Sequence, residues 1–293
     1  MTARNLIERI VLQEDLNFLL TNRIPRHLAT RFMGWFSRIE SPLLAALSIA
    51  TWKLFADLEL AEAKKHRFTS LHDCFTRELK EGARPIDPAP GILVSPCDGI
   101  VGACGAIDGV QLIQAKGFPY TLNDLLGDRQ WVDRYRDGTY ATLRITSSMY
   151  HRFHAPAAGT VRRVNYIAGD TWNVNPIALK RVERLFCRNE RAAIELILPA
   201  GERVTLVAVA AILVAGIRLH FADTLFNLGY DGPNRLSCDA HLERGEEMGW
   251  FEHGSTIIVF APRGFGLCEG ITDGRRVRMG ERLLRRSGGK ARA

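Results

Sequence analysis

A proline- and glycine-rich segment, E-G-A-R-P-I-D-P-A-P-G at residues 81–91, marks the place where the chain changes character. Beyond it, short runs rich in β-branched and apolar residues alternate with turn residues. These runs cover residues 92–94, 99–103, 111–114, 140–145, 159–166, 192–198, 203–213 and 256–260. Their length and spacing predict an antiparallel β-rich domain and argue against an array of alternating strands and helices.

The first 66 residues predict helices instead. Apolar side chains recur there at spacings of 4, 3 and 4 residues, on one helical face: Leu28, Phe32, Trp35 and Ile39. Arginines lie in the same region, at Arg23, Arg26, Arg31 and Arg38, and no acid occurs between Thr21 and Arg38. This pattern is typical of a helix that lies on a membrane surface. It fits equally a helix packed on its own domain with its arginines in solvent.

The charge of the chain is concentrated at its end. Of the 293 residues, those from 275 to 293 include eight basic residues and one acid, Glu281, while the whole chain has a net charge of +7. Such a cluster is attracted to an anionic membrane surface, where each basic residue adds about 1 kcal/mol. For residues 287–293 a flexible, solubilising tail is the favoured interpretation. Nucleic acid would satisfy the same charge, but no nucleic-acid motif accompanies it, so no nucleic-acid partner is expected.

Cysteine usage and hydropathy bear on the compartment. The six cysteines form no C-x-x-C pair, and charges at Arg4, Glu8 and Arg9 interrupt any apolar N-terminal run. We therefore expect reduced thiols in a cytosolic compartment. The longest apolar candidate, residues 42–52, is too short for a span that needs about 20 apolar residues. If the protein meets a membrane, it is expected to lie on it.

Three polar clusters stand at the edges of predicted strands and supply the residue types of nucleophilic catalysis. They are Asp98 in S-P-C-D-G, His151 and His154 in Y-H-R-F-H-A-P, and Ser255 in E-H-G-S-T. A hydroxyl needs a base, and the base needs an orienting carboxylate. The nearest target of Ser255 is the carbonyl of Gly254, because glycine tolerates the strained backbone that such an attack requires. Attack would form an ester, and elimination followed by hydrolysis would leave a pyruvoyl group at residue 255.

A metal site is the alternative interpretation of the same residues. His151, His154 and Asp98 could hold zinc with an open position for water, as in a zinc-dependent hydrolase. However, two histidines three positions apart in extended structure point away from each other, and no cysteine spacing adds support. We therefore expect no metal, and either histidine taken singly could be structural.

Five separated motifs, in order, resemble the phosphatidylserine decarboxylase family. They are S-P-C-D-G at 95–99, Q-A-K-G-F-P-Y-T-L-N-D-L-L at 114–126, Y-H-R-F-H-A-P at 150–156, F-C-R-N-E-R at 186–191 and E-M-G-W-F-E-H-G-S-T-I-I-V-F-A-P at 247–262. The resemblance extends from F-T-R-E-L-K near residue 75 to about residue 262, and the N-terminal helices and tail match only in character.

The resemblance implies a proenzyme that cuts itself at Gly254-Ser255 into a β chain, residues 1–254, and an α chain, residues 255–293. Ser255 would become the pyruvoyl cofactor, with Asp98 orienting His154 and His154 deprotonating Ser255. His151 would take part in decarboxylation as proton donor. The family often has leucine where this chain has His253, a substitution that is either passive or shifts the pH dependence of cleavage.

The implied reaction is the conversion of phosphatidylserine to phosphatidylethanolamine, with the pyruvoyl group as electron sink in place of pyridoxal phosphate. The implied partners are phosphatidylserine, an anionic membrane surface at the cytoplasmic face of the cell membrane, the two chains of one precursor, and a second copy in a homodimer. A relative that acts on another serine-headed lipid, such as an archaetidylserine-like ether lipid, and a non-catalytic membrane-surface protein stay open alternatives.

The predicted fold class is α+β, with N-terminal membrane-associating helices followed by an antiparallel β-rich catalytic domain. Residues 1–66 are expected to form the helical docking region and residues 67–286 the β-rich domain, with residues 287–293 as a basic flexible tail.

Overall fold

The computed structural model describes residues 13–114, 118–213, 216–252 and 255–287. Three helices come first: α1 (Glu14–Asn22), α2 (Arg26–Ser37) and α3 (Pro42–Phe55). They begin where the sequence allows it: the Ser41 side chain accepts a hydrogen bond from the Leu44 amide, and Pro42 occupies the first turn of α3, where no amide proton is needed. The predicted helical character of this region is confirmed for the described residues.

Five short helices follow within the rest of the described chain. Their bounds are α4 (Leu71–Phe75), α5 (Leu122–Leu126), α6 (Arg129–Tyr135), α7 (Pro176–Arg181) and α8 (Leu185–Arg188). Helix α7 is capped at its N-terminus by Asn175, whose side chain accepts from the Ala178 amide, and α5 has a capping box between Thr121 and Asp124.

Strands make up most of the chain after residue 91. They are β1 (Ile92–Val94), β2 (Gly99–Ala106), β3 (Gln111–Gln114), β4 (Phe118–Thr121), β5 (Thr139–Ile145), β6 (Arg152–His154), β7 (Gly159–Ile167), β8 (Arg191–Ile197), β9 (Arg203–Val209), β10 (Ile217–Leu219), β11 (Thr224–Phe226), β12 (Arg235–Leu242), β13 (Glu247–Phe251), β14 (Ser255–Ala261), β15 (Phe265–Leu267), β16 (Arg276–Val277) and β17 (Arg282–Arg286). Each predicted β-rich run coincides with a strand, although the run at 203–213 ends as a strand at Val209.

One large sheet organises the molecule. Its strand order is β12-β7-β8-β9-β14-β5-β2-β16, and its strands pair antiparallel. Strand β14 lies in the interior, between β5 and β9, and all seven of its residues are buried. Ile257 packs into the core on one face, and Ile258 packs against the short helices on the other. Because both faces are covered, β14 is a continuous apolar run rather than an alternating one. The predicted α+β, antiparallel fold class is confirmed.

The histidine motif belongs to a four-stranded sheet ordered β11-β10-β13-β6, in which His154 is the last residue of β6. Strand β6 pairs with β13, and the Phe251 amide donates to the His151 carbonyl oxygen at 2.9 Å. This pairing places His151 next to Phe251, which is four residues ahead of Ser255 in the chain. Smaller sheets, β1-β17-β15 and β3-β4, complete the fold.

The first helices expose the apolar face that the sequence singles out. Leu28 is 68% exposed, Phe32 56% and Trp35 64%. Within the described ranges, no helix combines the length and the apolarity that crossing a bilayer requires. All six cysteines are free thiols. The domain boundaries stay predictions, and residues 1–12 and 288–293, which include most of the predicted tail, lie outside the described residues.

Candidate active site

Ser255 is the first residue of β14 and is fully buried. Its backbone pairs with Ile145 of β5. Its hydroxyl has no hydrogen-bond partner in the part of the chain that the structure describes. An unsatisfied buried polar group costs about 1–3 kcal/mol, so its presence at this position calls for a functional explanation. Gly254 and His253, the other predicted residues of this segment, lie outside the described residues.

Glu252 ties the segment before Ser255 to helix α2. The Arg38 Nη2 donates to both oxygens of the Glu252 carboxylate, at 2.5 and 2.6 Å, and the Glu252 amide donates to the Gly216 carbonyl at 3.0 Å. A Cβ at Gly216 would lie 2.7 Å from the Glu252 carboxylate oxygen, so a side chain there would require the Glu252 carboxylate to shift. The segment is thus anchored three residues ahead of Ser255 to a helix of the N-terminal region.

His154 lies on β6 with both ring nitrogens engaged. Its Nδ1 is 2.9 Å from the Gly245 carbonyl oxygen and its Nε2 is 2.9 Å from the Tyr150 hydroxyl. Since a carbonyl can only accept, Nδ1 carries the proton and Nε2 accepts from Tyr150. Burial lowers the pKa of His154, while the Gly245 carbonyl and the Glu247 carboxylate oppose the shift. The imidazole is therefore a neutral base whose Nε2 lone pair faces a hydroxyl.

Asp98 is held by an arginine rather than by the histidine. Arg84 donates through Nε and Nη2 to its two carboxylate oxygens, at 2.8 and 2.5 Å, and the Met279 amide donates at 2.9 Å. The turn that carries Asp98 reaches His154 through the backbone, because the His154 amide donates to the Pro96 carbonyl at 2.8 Å. The negative charge of Asp98 is near enough to be among the weaker influences that raise the pKa of His154.

His151 occupies a closed apolar site. It is fully buried, its ring centroid lies 4.8 Å from that of Phe75, and neither ring nitrogen has a hydrogen-bond partner among the described residues. Burial, and then the nearby Arg77 guanidinium, lower the pKa of His151 to about 3. A contact with the Met149 backbone opposes this shift without reaching hydrogen-bond geometry. The imidazole is therefore neutral near pH 7.

The predicted residues thus share one region but are not joined as a hydrogen-bonded triad. In the described residues, the bonds of Asp98 go to Arg84 and Met279, and those of the His154 ring go to Gly245 and Tyr150. Sequence reasoning assigned no role in the site to three of the residues that hold these groups, Tyr150, Arg84 and Glu252, and it placed the fourth, Arg38, among the arginines of the membrane-docking helix. Tyr150 belongs to the histidine motif and could have been singled out. The Arg38–Glu252 pair joins residues 214 positions apart and left no local pattern.

A cavity of about 350 Å³ lies at the end of the sheet where Ser255 begins its strand. It is lined by residues 144–147, 173–175 and 211–213. Ile145 is the strand partner of Ser255, and Ala211 follows closely on Val209, the partner of Thr256. The cavity rim is tied to the N-terminal helices, since the Asn173 amide donates to Asn22 at 3.1 Å and the Leu213 amide donates to Thr30 at 3.1 Å.

Metal binding finds no support in this geometry. Among the described residues, no group of three or more histidine, cysteine, aspartate or glutamate side chains is arranged to hold an ion. His154 also directs both ring nitrogens to protein groups. The arrangement instead offers a buried hydroxyl, a neutral imidazole base and a fixed carboxylate.

Comparison with known proteins identifies the group to which the chain is related. The sequence profile of the family described as phosphatidylserine decarboxylase matches residues 71–285. The chain belongs to the phosphatidylserine decarboxylase family. Asp98, His151, His154 and Ser255 all lie within the matched range, whereas helices α1 to α3 precede it. The resemblance inferred from the five motifs is confirmed.

Curated members of the phosphatidylserine decarboxylase family cover nearly the whole chain. The phosphatidylserine decarboxylase proenzyme of Bordetella pertussis is 36% identical over 283 residues, 92% of this chain and 94% of that protein. The proenzyme of Myxococcus xanthus is 34% identical, over 92% of this chain and 98% of its own, and that of Saccharophagus degradans is 33% identical, over 93% and 98%. These comparisons do not support a zinc hydrolase or a relative that acts on another serine-headed lipid.

Proposed function

We propose that the chain cleaves itself between Gly254 and Ser255 and that the mature enzyme decarboxylates phosphatidylserine with a pyruvoyl group made from Ser255. The observation that carries this proposal is the fully buried hydroxyl of Ser255, which lacks a partner among the described residues and stands at the start of an interior strand. A prosthetic group formed at that position would be sheltered from water, which fits a reactive ketone.

Cleavage is an acyl shift followed by an elimination. The Ser255 oxygen forms a bond to the Gly254 carbonyl carbon, the peptide C–N bond breaks, and the Ser255 nitrogen becomes an amine. Loss of the proton on the α-carbon of residue 255 then breaks the Cβ–O bond and releases the Gly254 carboxylate. Water replaces the nitrogen of residue 255 by oxygen and releases ammonia, so atoms and charges balance.

The side chains supply the proton transfers of cleavage. We assign His154 as the base, because its Nε2 carries a lone pair and its present partner is another hydroxyl, that of Tyr150. For this role Nε2 exchanges the Tyr150 hydroxyl for that of Ser255. Asp98, kept in place by Arg84 and the Met279 amide, stabilises the positive charge that develops on the imidazole.

In decarboxylation, the pyruvoyl ketone supplies a carbonyl for the substrate amine and takes up the electron pair left when carbon dioxide departs. We assign His151 to hold and return the proton. Its closed site keeps the imidazole neutral in this structure, and the negative charge of an arriving lipid raises its pKa toward the range of a proton donor. The cavity beside Ser255 is the proposed site of the headgroup.

The first helices are proposed to dock the enzyme on the cytoplasmic face of the membrane. Helix α2 exposes Leu28, Phe32 and Trp35 together with Arg31, the combination that an anionic bilayer surface binds. After cleavage, β14 stays paired with β5 and β9 of the other fragment, which keeps the α and β chains together. A homodimer stays a prediction of the resemblance.

Intact mass and turnover test the proposal together. Purified protein is expected to consist of two fragments, residues 1–254 and 255–293, and the second is expected to lack a free N-terminal amine. The cleaved protein is expected to release carbon dioxide from phosphatidylserine in mixed micelles. Ser255→Ala is expected to stay one inactive chain, while Ser237→Ala, an exposed serine of β12, is expected to be cleaved and active. Cleavage of Ser255→Ala at the same bond, or turnover by uncut protein, would refute the proposal.

A further inference from the structure

Arg144 is a charged side chain of the candidate site to which neither the sequence nor the mechanism has given a role. It lies near the end of β5, where its backbone pairs with Thr256, the residue after Ser255. It is half-buried and lines the cavity beside Ser255. Within the described residues no hydrogen bond or ion pair reaches its guanidinium group. Burial lowers the pKa of Arg144, opposed only by attraction to Asp273.

The other buried arginines show how unusual this is. Arg84 is bound by the Asp98 carboxylate, and Arg77 donates to the carbonyl oxygens of Ser148 and Met149, at 3.0 and 2.9 Å. Arg191 donates to four backbone carbonyl oxygens. A guanidinium group taken partly out of water without such partners destabilises the fold. The fold therefore keeps at Arg144 a cation that attracts Asp273 without an ion pair and that no acceptor among the described residues binds directly, which leaves it able to bind an anion from outside the chain.

We propose that Arg144 binds the phosphodiester of the lipid headgroup and so positions the substrate amine at residue 255; this rests on the function proposed above. Guanidinium groups match the oxygens of a phosphate in charge and in geometry. Strands in a sheet lie about 4.8 Å apart, so the backbone of Arg144 is a near neighbour of residue 255. The cavity extends around the strand end, since it is lined by consecutive residues from 144 to 147.

The phosphate, rather than the carboxylate, is the group that this cation favours. The headgroup carries both anions, and the carboxylate has to lose its charge as carbon dioxide leaves. A cation bound to it would stabilise the starting state more than the transition state and slow the reaction. The phosphate keeps its charge from substrate to product, so its binding holds the headgroup without opposing the chemistry. The cavity rim is tied to α1 and α2, and α2 is the helix proposed to dock on the lipid surface.

Steady-state kinetics in mixed micelles of phosphatidylserine and neutral detergent test the assignment. Arg144→Gln is expected to raise KM about ten- to a hundredfold with little change in kcat, the range of a lost charge-assisted bond that is equal in ground and transition states. The KM of Arg144→Lys is expected to lie between those of wild type and Arg144→Gln. Arg235→Gln, which removes an exposed arginine of β12, is the control and is expected to behave as wild type.

Two further measurements do not depend on turnover. Because Arg144 lacks a protein partner in the described chain, Arg144→Gln is expected to match or exceed the wild-type melting temperature. Calorimetric titration with glycerophosphoethanolamine, the soluble headgroup of the product, is expected to show weaker binding to Arg144→Gln. Inorganic phosphate is expected to bind more weakly than this headgroup; equal binding would indicate a general anion site and overturn the assignment to the lipid.

An unchanged KM in Arg144→Gln would overturn the proposal, as would a lost kcat at constant KM, which would place Arg144 at the reacting atoms. A lower melting temperature with normal KM would give Arg144 a structural role and overturn it too. Wild-type turnover and cleavage are measured in the same series. If wild type were cut but did not act on phosphatidylserine, the proposed function would fail. If wild type did act on phosphatidylserine and the Arg144 variants had the same KM as wild type, the Arg144 assignment alone would fail.

Discussion

In the large sheet apolar side chains point inward, whereas in the first helices many of them point to solvent. Strand β14 buries all seven of its residues between its two neighbours, while α2 leaves Leu28, Phe32 and Trp35 more than half exposed. A surface helix of a soluble domain normally turns its apolar stripe to the core. In α2 the apolar stripe faces solvent instead of the core, so it is available to contact another apolar surface.

The contacts that hold the helices to the sheet domain differ in the same way. Arg26 of α2 forms an ion pair with Asp170, Arg38 forms one with Glu252, and Thr30 accepts from the Leu213 amide. Asp170, Leu213 and Glu252 belong to the three segments that surround the start of β14 or its cavity. The polar side of α2 is therefore bound to the region of the site, and its apolar side is left exposed for the membrane contact proposed above.

The sharpest way to break this comparison is to truncate one apolar side chain in each region. Ile257→Ala, in the fully buried core of β14, is expected to lower the free energy of unfolding by about 2–5 kcal/mol. Leu28→Ala, on the exposed face of α2, is expected to change it by less than about 0.5 kcal/mol. Urea titration of both variants measures the difference, and similar losses would mean that the α2 face is buried in solution.

The ion pair between α2 and the segment before Ser255 gives the next effect. Arg38→Gln leaves the buried Glu252 carboxylate without its cation, and because Arg38 is itself 45% exposed we expect a loss of about 1–3 kcal/mol. Self-cleavage is expected to slow as well, since the segment three residues from Ser255 loses its anchor. Arg31→Gln, an exposed arginine of the same helix, is the matched control. Equal unfolding midpoints and equal cleavage rates for the two variants would contradict this role.

The sheet could be predicted from the sequence because each strand has a recognisable local pattern of apolar and turn residues. Runs such as Thr-Ile-Ile-Val-Phe in β14 can be buried on both faces only in an interior strand, and turn residues bound each run. The four candidate site residues were singled out for the same reason: each lies beside the end of a strand. The sequence left open whether the apolar face of α2 packs on the protein or faces outward, because that depends on its solvent exposure, which only the structure supplies.

The partners of those residues could not be found this way, because they depend on register and on chain crossings. Asp98 looked like the partner of His154, but the Arg84 side chain, 14 positions away, holds its carboxylate. Arg144 looked like an ordinary strand residue, and only the pairing of β5 with β14 places its backbone opposite Thr256, the residue after Ser255. The five motifs identify the family, yet none of them contains the cavity residues 144–147, 173–175 or 211–213.

Membrane binding sharpens the comparison at the apolar side of α2. Phe32→Ser and Trp35→Ser are each expected to weaken binding to phosphatidylserine-containing vesicles by about tenfold or more, because each removes aromatic surface that the bilayer would bury. Stability in water should stay near wild type. Vesicle sedimentation measures the partition, with Phe265→Leu, a volume-reducing change in a buried residue of β15, as the control for folding. Unchanged sedimentation of both serine variants would remove α2 from the docking surface.

The smallest effect is the response of the closed His151 site to acid. Its pKa is lowered to about 3 by burial and by Arg77, against an ordinary value of 6.5. Between these values the unfolded chain binds a proton that the folded chain excludes, so His151 makes stability fall as pH decreases, by up to about 1.4 kcal/mol per pH unit. In urea titrations from pH 6.5 toward pH 5, His151→Asn is expected to make the free energy of unfolding fall less steeply with decreasing pH. The slope should differ from that of wild type by the contribution of about one bound proton, whatever the variant does to stability at pH 7. His154 shifts in the same direction and stays in both proteins, so the difference isolates His151. The exposed His66→Asn is the control, and an equal slope in all three proteins would mean that water or an anion reaches the His151 ring.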